Sequence, residues 1–197
     1  MRSDSQQYHE YLSGKYLPGR GLYLRMLLYP KYLRELSQES AGPIVDLGCG
    51  NGEFLDHCRS RGIQATGVDS NPHLIEMCRA RGLTVTMGDI LTWRPELPMH
   101  RAVCDNVLEH LDRPQLDAFF GNFRQIAAPG ARLLAIVPGK AGYRSDPTHK
   151  TFVTPELINE LARQHRFSVV RRSCMPLNWQ WPGNWLYLNM TAYTLLF

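Results

Sequence analysis

The 197-residue chain contains no run of about 18 apolar residues, so nothing in it reads as a membrane-spanning helix. It also lacks a C-x-x-C pair. Cys49, Cys58, Cys78, Cys104 and Cys174 stand singly, mostly in apolar positions, which argues against a disulfide framework or zinc ribbon and predicts reduced core thiols in a cytoplasmic protein. The first residues, Met1 to Gln7, have no apolar core, so no signal peptide is expected. Basic tracts are missing as well. With 22 Lys and Arg against 18 Asp and Glu, the net charge of +4 permits an anionic substrate without asking for nucleic acid. Repeats, linkers and low-complexity segments are absent, and 44% hydrophobic residues suffice for one domain, 1–197, with a full core.

Against those absences stands residues 44–55, Ile-Val-Asp-Leu-Gly-Cys-Gly-Asn-Gly-Glu-Phe-Leu. Ile44 and Val45 begin a buried strand that runs to Asp46, and Gly48, Gly50 and Gly52 follow at alternate positions. From Glu53 the pattern is helical, with Phe54, Leu55 and Cys58 on one side. Strand, glycine turn and helix together bring a nucleotide-like ligand against bare backbone at a helix N-terminus. A dinucleotide fingerprint would need its third glycine where Glu53 stands, so a nicotinamide-dependent reductase is disfavoured. A tight turn that binds nothing is the plain alternative.

Farther along, a second strand over 64–68 ends in Asp69, about 20 residues past the first glycine, where α/β nucleotide folds hold ribose hydroxyls with an acid. Ser70, Asn71 and Pro72 start the next helix, and Asp69 as a mere cap is the alternative. A third strand, 83–87, precedes Gly88, Asp89 and Ile90, and a fourth, 100–106, runs into Asn106-Val107-Leu-Glu-His110-Leu. A fifth, 132–137, is almost wholly apolar, as a strand covered on both faces should be. Pro129-Gly130 reads as the stop of the helix before it. Strands alternating with helices predict a doubly wound, mostly parallel α/β sheet. The Arg59/Arg61-Gly62 and Arg79/Arg81-Gly82 pairs read as helix ends, not as a nucleic-acid patch.

The D-x-G-x-G-x-G run from Asp46, with Asp69, Asp89 and the Asn106–His110 segment in order at strand ends, resembles the class I S-adenosylmethionine-dependent methyltransferases. The resemblance covers residues 43–174, and Asp146-Pro-Thr-His149 followed by Phe152 and Thr154-Pro155-Glu156 resembles a segment of one broad group of small single-domain members, several of which act on sugars, lipids or other metabolites. It implies a Rossmann-like, seven-stranded sheet whose last strand, 190–197, returns antiparallel, a helix there being the alternative. It implies S-adenosylmethionine as cofactor and S-adenosylhomocysteine as product. Asp46, Gly48, Cys49, Gly50 and Gly52 would form the glycine turn around the cofactor, and Asp69 and Ser70 would meet the ribose. Asp89 and Ile90 would meet the adenine, and Asn106, Val107 and His110 the methionine part. His110 as a catalyst competes with a histidine that only holds its loop.

The acceptor side is read from the long polar stretch 139–150. If the acceptor is a hydroxyl, a base near neutral pKa helps, and His149 is the candidate with Asp146 as its orienter; a capping or packing histidine is equally compatible. Tyr143, Arg144 and Lys150 could hold an anionic acceptor, as could Arg20 between Gly19 and Gly21. One Asp and one His in this stretch are too few for a metal site, so none is expected. Residues 1–40, rich in Tyr and Arg, read as a helical lid with Leu22, Met26 and Tyr29 on its stripe. Residues 175–197 carry Trp179, Trp181, Trp185, Tyr187 and Tyr193, and the Trp-rich stretch 177–185 suits core packing, a cover over the acceptor pocket, or a peripheral contact with a partner or bilayer surface. The expected partner is a small-molecule acceptor, most simply a hydroxyl of a sugar, lipid-linked or other metabolite. A nucleic-acid methyltransferase and a non-catalytic cofactor-binding scaffold are the rival readings.

Overall fold

A computed structural model describes residues 24–37, 42–175 and 190–197. Arg20, most of the expected lid and the Trp-rich stretch lie outside those residues. Seven strands form one sheet: β1 (Ile44–Leu47), β2 (Ala65–Asp69), β3 (Val85–Met87), β4 (Met99–Asp105), β5 (Ala127–Pro138), β6 (Ser168–Met175) and β7 (Met190–Leu196). Their order is β3-β2-β1-β4-β5-β7-β6, with β1 to β5 parallel. β7 runs antiparallel to both neighbours. Within the 190–197 segment, Met190–Leu196 is therefore a strand, and an interior one.

Successive residues of the central strands serve opposite faces, as the two-residue pleat requires. Ala102, Cys104, Leu133, Ala135 and Val137 pack beneath α4 (Arg113–Ile126) and α6 (Pro155–Gln164). Val103, Leu134 and Ile136 face α1 (Tyr29–Leu36) and α2 (Glu53–Arg59). α3 (Pro72–Ala80) packs Ile75 and Cys78 beside Leu55 and Leu83. In α4, Leu116, Phe119, Phe120, Phe123 and Ile126 are all buried. A reciprocal capping box of Asp112 and Gln115 starts that helix. Burial of each such phenylalanine contributes about 1.5–3 kcal/mol.

Two expectations are corrected. Met26 is exposed, because Leu24–Leu28 is a π-helical turn that shifts the phase of the stripe to Leu24, Leu28, Tyr29, Tyr32 and Leu36. This segment is a core layer of the sheet: Tyr29 and Tyr32 pack on Phe54, and Glu35 pairs with Arg171 at 3.2 Å. Pro129-Gly130 does not end a helix either. α4 stops at Ile126, and the pair lies inside β5, where Gly130 takes φ 76° and the register against β4 slips between Met99 and Arg101.

Candidate functional site

The carboxyl ends of β1 to β4 surround a cavity of about 830 Å³. Its floor is the turn after β1. Gly48, Gly50 and Gly52 all have positive φ, 80°, 52° and 74°, which side chains rarely tolerate. Their roles differ. A Cβ on Gly50 would meet nothing within 4 Å, so this backbone is presented to the cavity. A Cβ on Gly52 would strike Leu83 at 2.6 Å and Cys78 at 2.9 Å. Gly52 does not line the cavity and serves as the left-handed start of α2.

Three carboxylates stand at the tips of neighbouring strands β2, β1 and β4: Asp69, Asp46 and Asp105, all lining the cavity. Asp69 accepts from Gly50 N–H at 2.9 Å and from Asn71 N–H at 2.8 Å, so it fastens the glycine turn to the second strand. The helix cap is Asn71, which accepts from His73 and Leu74 N–H, and this removes capping as the reason for Asp69. Asp46 is 4% exposed. Burial pushes its pKa well up, and the nearby charges of Asp105 and Asp69 push it the same way. A cation entering here would relieve all three. Tyr32 donates to Asp105 at 3.2 Å, which links α1 to the cavity wall.

Cys49 and Ser70 line the floor, while Asp89 and Ile90 line the far wall. Cys49 is hydrogen-bonded to Cys78 and buried, and both effects raise its thiol pKa, so it is a neutral wall group and no nucleophile. Asp89 accepts from Leu91 N–H at 2.9 Å. Asn106 has φ 54°, a left-handed conformation that asparagine tolerates, and turns the chain into Val107 and the short 3-10 turn Leu108–His110. Asn106, Val107 and His110 all line the cavity. The arginines read as helix ends do more than that. Arg81 donates to the Asn51 carbonyl at 2.7 Å and pairs with Asp56, and Arg59 also pairs with Asp56 at 2.7 Å. They brace the glycine turn from behind.

The acceptor side is assembled from the 3-10 turn and the segment after β5, which contains α5 (Lys140–Arg144). Lys150 and Thr151 donate their N–H groups to the Glu109 carbonyl at 2.8 and 3.1 Å. Lys150 and Thr148 line the cavity. His149, Asp146, Tyr143 and Arg144 do not. His149 is held behind His110, with ring centroids 4.8 Å apart, and stacks on Tyr143 at 5.5 Å. Arg144 is exposed at the surface. Glu109, which the sequence reading passed over, is 1% exposed, and burial pushes its pKa up to about 8, with Asp105 and Asp146 adding to the shift. One atom each from Glu109, His110 and His149 lies within 4.8 Å of the others, a larger donor set than the 139–150 stretch alone offers.

Among the described residues no helix is long and apolar enough to cross a membrane. The fold is shared with a SAM-dependent methyltransferase from Archaeoglobus fulgidus, at TM-score 0.75 and 20% identity, covering 96% of this chain and 100% of that one. A glycopeptide N-methyltransferase solved with S-adenosylmethionine aligns at TM-score 0.67 and 12% identity, covering 85% and 86%. By sequence, the trans-aconitate 2-methyltransferase of Mycobacterium tuberculosis is 27% identical over 136 residues, 68% of this chain and 48% of that protein. The enzyme of the same name from Mycobacterium ulcerans is 32% identical over 140 residues, 68% of this chain and 51% of its own length. The chain thus spans about half the length of these relatives. Residues 21–177 match the family model described as a methyltransferase domain. With its sheet order, its glycine turn and that match, the chain belongs to the methyltransferase-domain family, within the class I S-adenosylmethionine-dependent group.

Proposed function

We propose that this chain binds S-adenosylmethionine in the 830 Å³ cavity and transfers its methyl group to an oxygen of a small carboxylate. The observation that carries the cofactor half is the trio Asp69, Asp46 and Asp105 around the open backbone of Gly50. A pyrophosphate would be repelled there, whereas a ligand with a sulfonium and an ammonium group is attracted. The cofactor supplies an activated methyl on cationic sulfur. The protein's share is to align the acceptor with it and to keep water out.

For the acceptor, the position of His149 favours one chemistry over the other. A hydroxyl asks for a base within hydrogen-bond reach, yet His149 lies behind His110 and spends Nδ1 on the Tyr143 carbonyl at 2.8 Å. A carboxylate is already ionised at neutral pH and asks for none. Lys150 at the cavity rim supplies a matching positive charge. The named activity of the trans-aconitate 2-methyltransferases points the same way. This reading replaces a sugar or lipid hydroxyl as first choice and leaves the small-molecule acceptor in place.

The test is methyl-labelled S-adenosylmethionine with a panel of small carboxylates, trans-aconitate among them, and small polyols. Label released by mild alkali, as an ester releases it, is the expected outcome. Alkali-stable label found only on hydroxyl acceptors would return the reading to ethers. Cofactor binding with no label on any acceptor would favour a scaffold.

A further inference from the structure

Beneath the acceptor end of the cavity lies a buried contact that the proposed transfer leaves unused. Glu109 and His149 come from different segments, and their side chains are 1% and 8% exposed. Neither oxygen of the Glu109 carboxyl has a hydrogen-bond partner. The Tyr143 carbonyl can only accept, so His149 donates Nδ1–H to it at 2.8 Å. That bond fixes the ring with Nε2 turned 3.8 Å from Glu109 Oε1 and 3.7 Å from Asp146 Oδ2. An ionised Glu109 would face the Asp146 carboxylate in a dry interior without a donor to hold it. One proton between Oε1 and Nε2 satisfies both groups, after a closure of about 1 Å to hydrogen-bond distance.

Cys104 and Asp105 face Glu109 from β4, Asp146 faces it from the segment 139–151, and His110 follows it on its own turn. Burial, with Asp105 and Asp146 adding to it, keeps a proton on the carboxyl up to about pH 8. The contact sits where the segment 139–151 is tied down. Lys150 and Thr151 give their N–H groups to the Glu109 carbonyl, and the Thr151 hydroxyl donates to the Leu111 carbonyl at 2.7 Å. Thr148 and Lys150, the two sequence neighbours of His149, both line the cavity. Where His149 is held therefore sets where they stand.

We propose that Glu109 and His149 share one buried proton, and that this contact is the positioning pair that seats Thr148 and Lys150 in the acceptor wall. The seating role rests on the acceptor reading given above; the shared proton does not. Loss of the proton leaves a carboxylate beside Asp146 and Asp105, which works against closure of the segment. With the segment closed Glu109 titrates at about 8, and once opened to water it returns to its ordinary value of 4.5. The open form binds fewer protons, so opening is favoured by up to about tenfold per pH unit between those values and levels off above the higher one.

Amide hydrogen exchange of the full chain, with neither cofactor nor acceptor added, reads this opening. After correction for the intrinsic rate, protection of the Lys150 and Thr151 N–H groups should fall with rising pH, by up to about tenfold per unit from about 6 to 8. Glu109→Gln, whose amide donates to Nε2 at any pH, should keep the protection and lose the slope. Glu109→Ala should lower protection about 10–100-fold at the acid end. It should also raise acceptor KM while kcat and S-adenosylhomocysteine affinity stay near those of the unmodified chain. A merely structural Glu109 would lower protection in the alanine variant without any pH slope in the unmodified chain. Flat protection in the unmodified chain, or the same slope in Glu109→Gln, overturns the shared proton. An unchanged KM in Glu109→Ala overturns the seating role. Should that variant fail to fold, the slope and its loss in Glu109→Gln decide. Exchange needs no methyl transfer, so a failed acceptor reading and a failed proton pair are told apart.

Discussion

The cofactor end and the acceptor end of one cavity are built on different plans. At the first, each polar group sits at the end of the strand that carries it or one residue short of it: Asp46 on β1, Asp69 on β2, Asp105 on β4, with the glycine turn beside them. At the second, Glu109 and His110 come from a 3-10 turn and His149 from the far side of β5, and only the fold brings them together. The first plan is local and the second is long-range. Local sites are pre-formed by strand pairing and tolerate little change of backbone. Sites made by convergence depend on a covering segment, here residues 139–151, and changes in it should be felt at one end only.

The largest expected effect tests that division at the turn. Gly52→Val places a β-branched side chain at φ 74° against Leu83 and Cys78, which should cost about 2–4 kcal/mol of stability from strain and overpacking together. Urea unfolding measures it, and a loss under about 1 kcal/mol would show that α2 can start elsewhere. Next, Asp69→Ala should weaken S-adenosylhomocysteine binding by about 1–3 kcal/mol by calorimetry. Unchanged affinity would detach Asp69 from the ligand and leave it as a brace for Gly50.

A pH series sharpens the electrostatic side of the same end. Asp46 is raised in the folded protein, so it holds its proton after the unfolded chain has lost one, and its contribution to stability declines as pH rises through the folded pKa. A cationic ligand favours the ionised form, hence binding of S-adenosylmethionine should release a proton and tighten as pH rises, by up to about tenfold per pH unit in that window. Asp46→Asn should flatten the profile; a wild-type slope in that variant would move the proton to another group. The smallest effect belongs to Arg144→Ala. The exposed Arg144 stands outside the cavity lining, and acceptor KM should change by less than about twofold. A larger change would mean that the covering segment closes further over bound acceptor than it does here.

The same contrast explains what could be read from the chain. Strand ends announce themselves, because an apolar run must stop where the backbone meets a ligand or water. Asp46, Gly50, Asp69, Asp89 and Asn106 could therefore be placed in order without coordinates, and all line the cavity. Glu109 could not, since it stands in a polar-looking turn, and its burial depends on residues 139–151 folding over it. The available signal was its position between Leu108 and Leu111, two apolar neighbours of a turn that had to pack inward. Met26 misled because a π-helical turn breaks the ordinary helical period, and Pro129-Gly130 because the same dipeptide that stops a helix can also bulge a strand.

β7 is the last of the described strands in sequence yet lies in the interior of the sheet, hydrogen-bonded to β5 on one side and β6 on the other. Until it is in place, two strands already made present unpaired backbone to solvent or to one another. An intruding strand from a second nascent copy would find the slot ready. Closure of the sheet therefore waits on β7, and slowing the synthesis of that strand would lengthen exposure to misassociation more than slowing the strands before it.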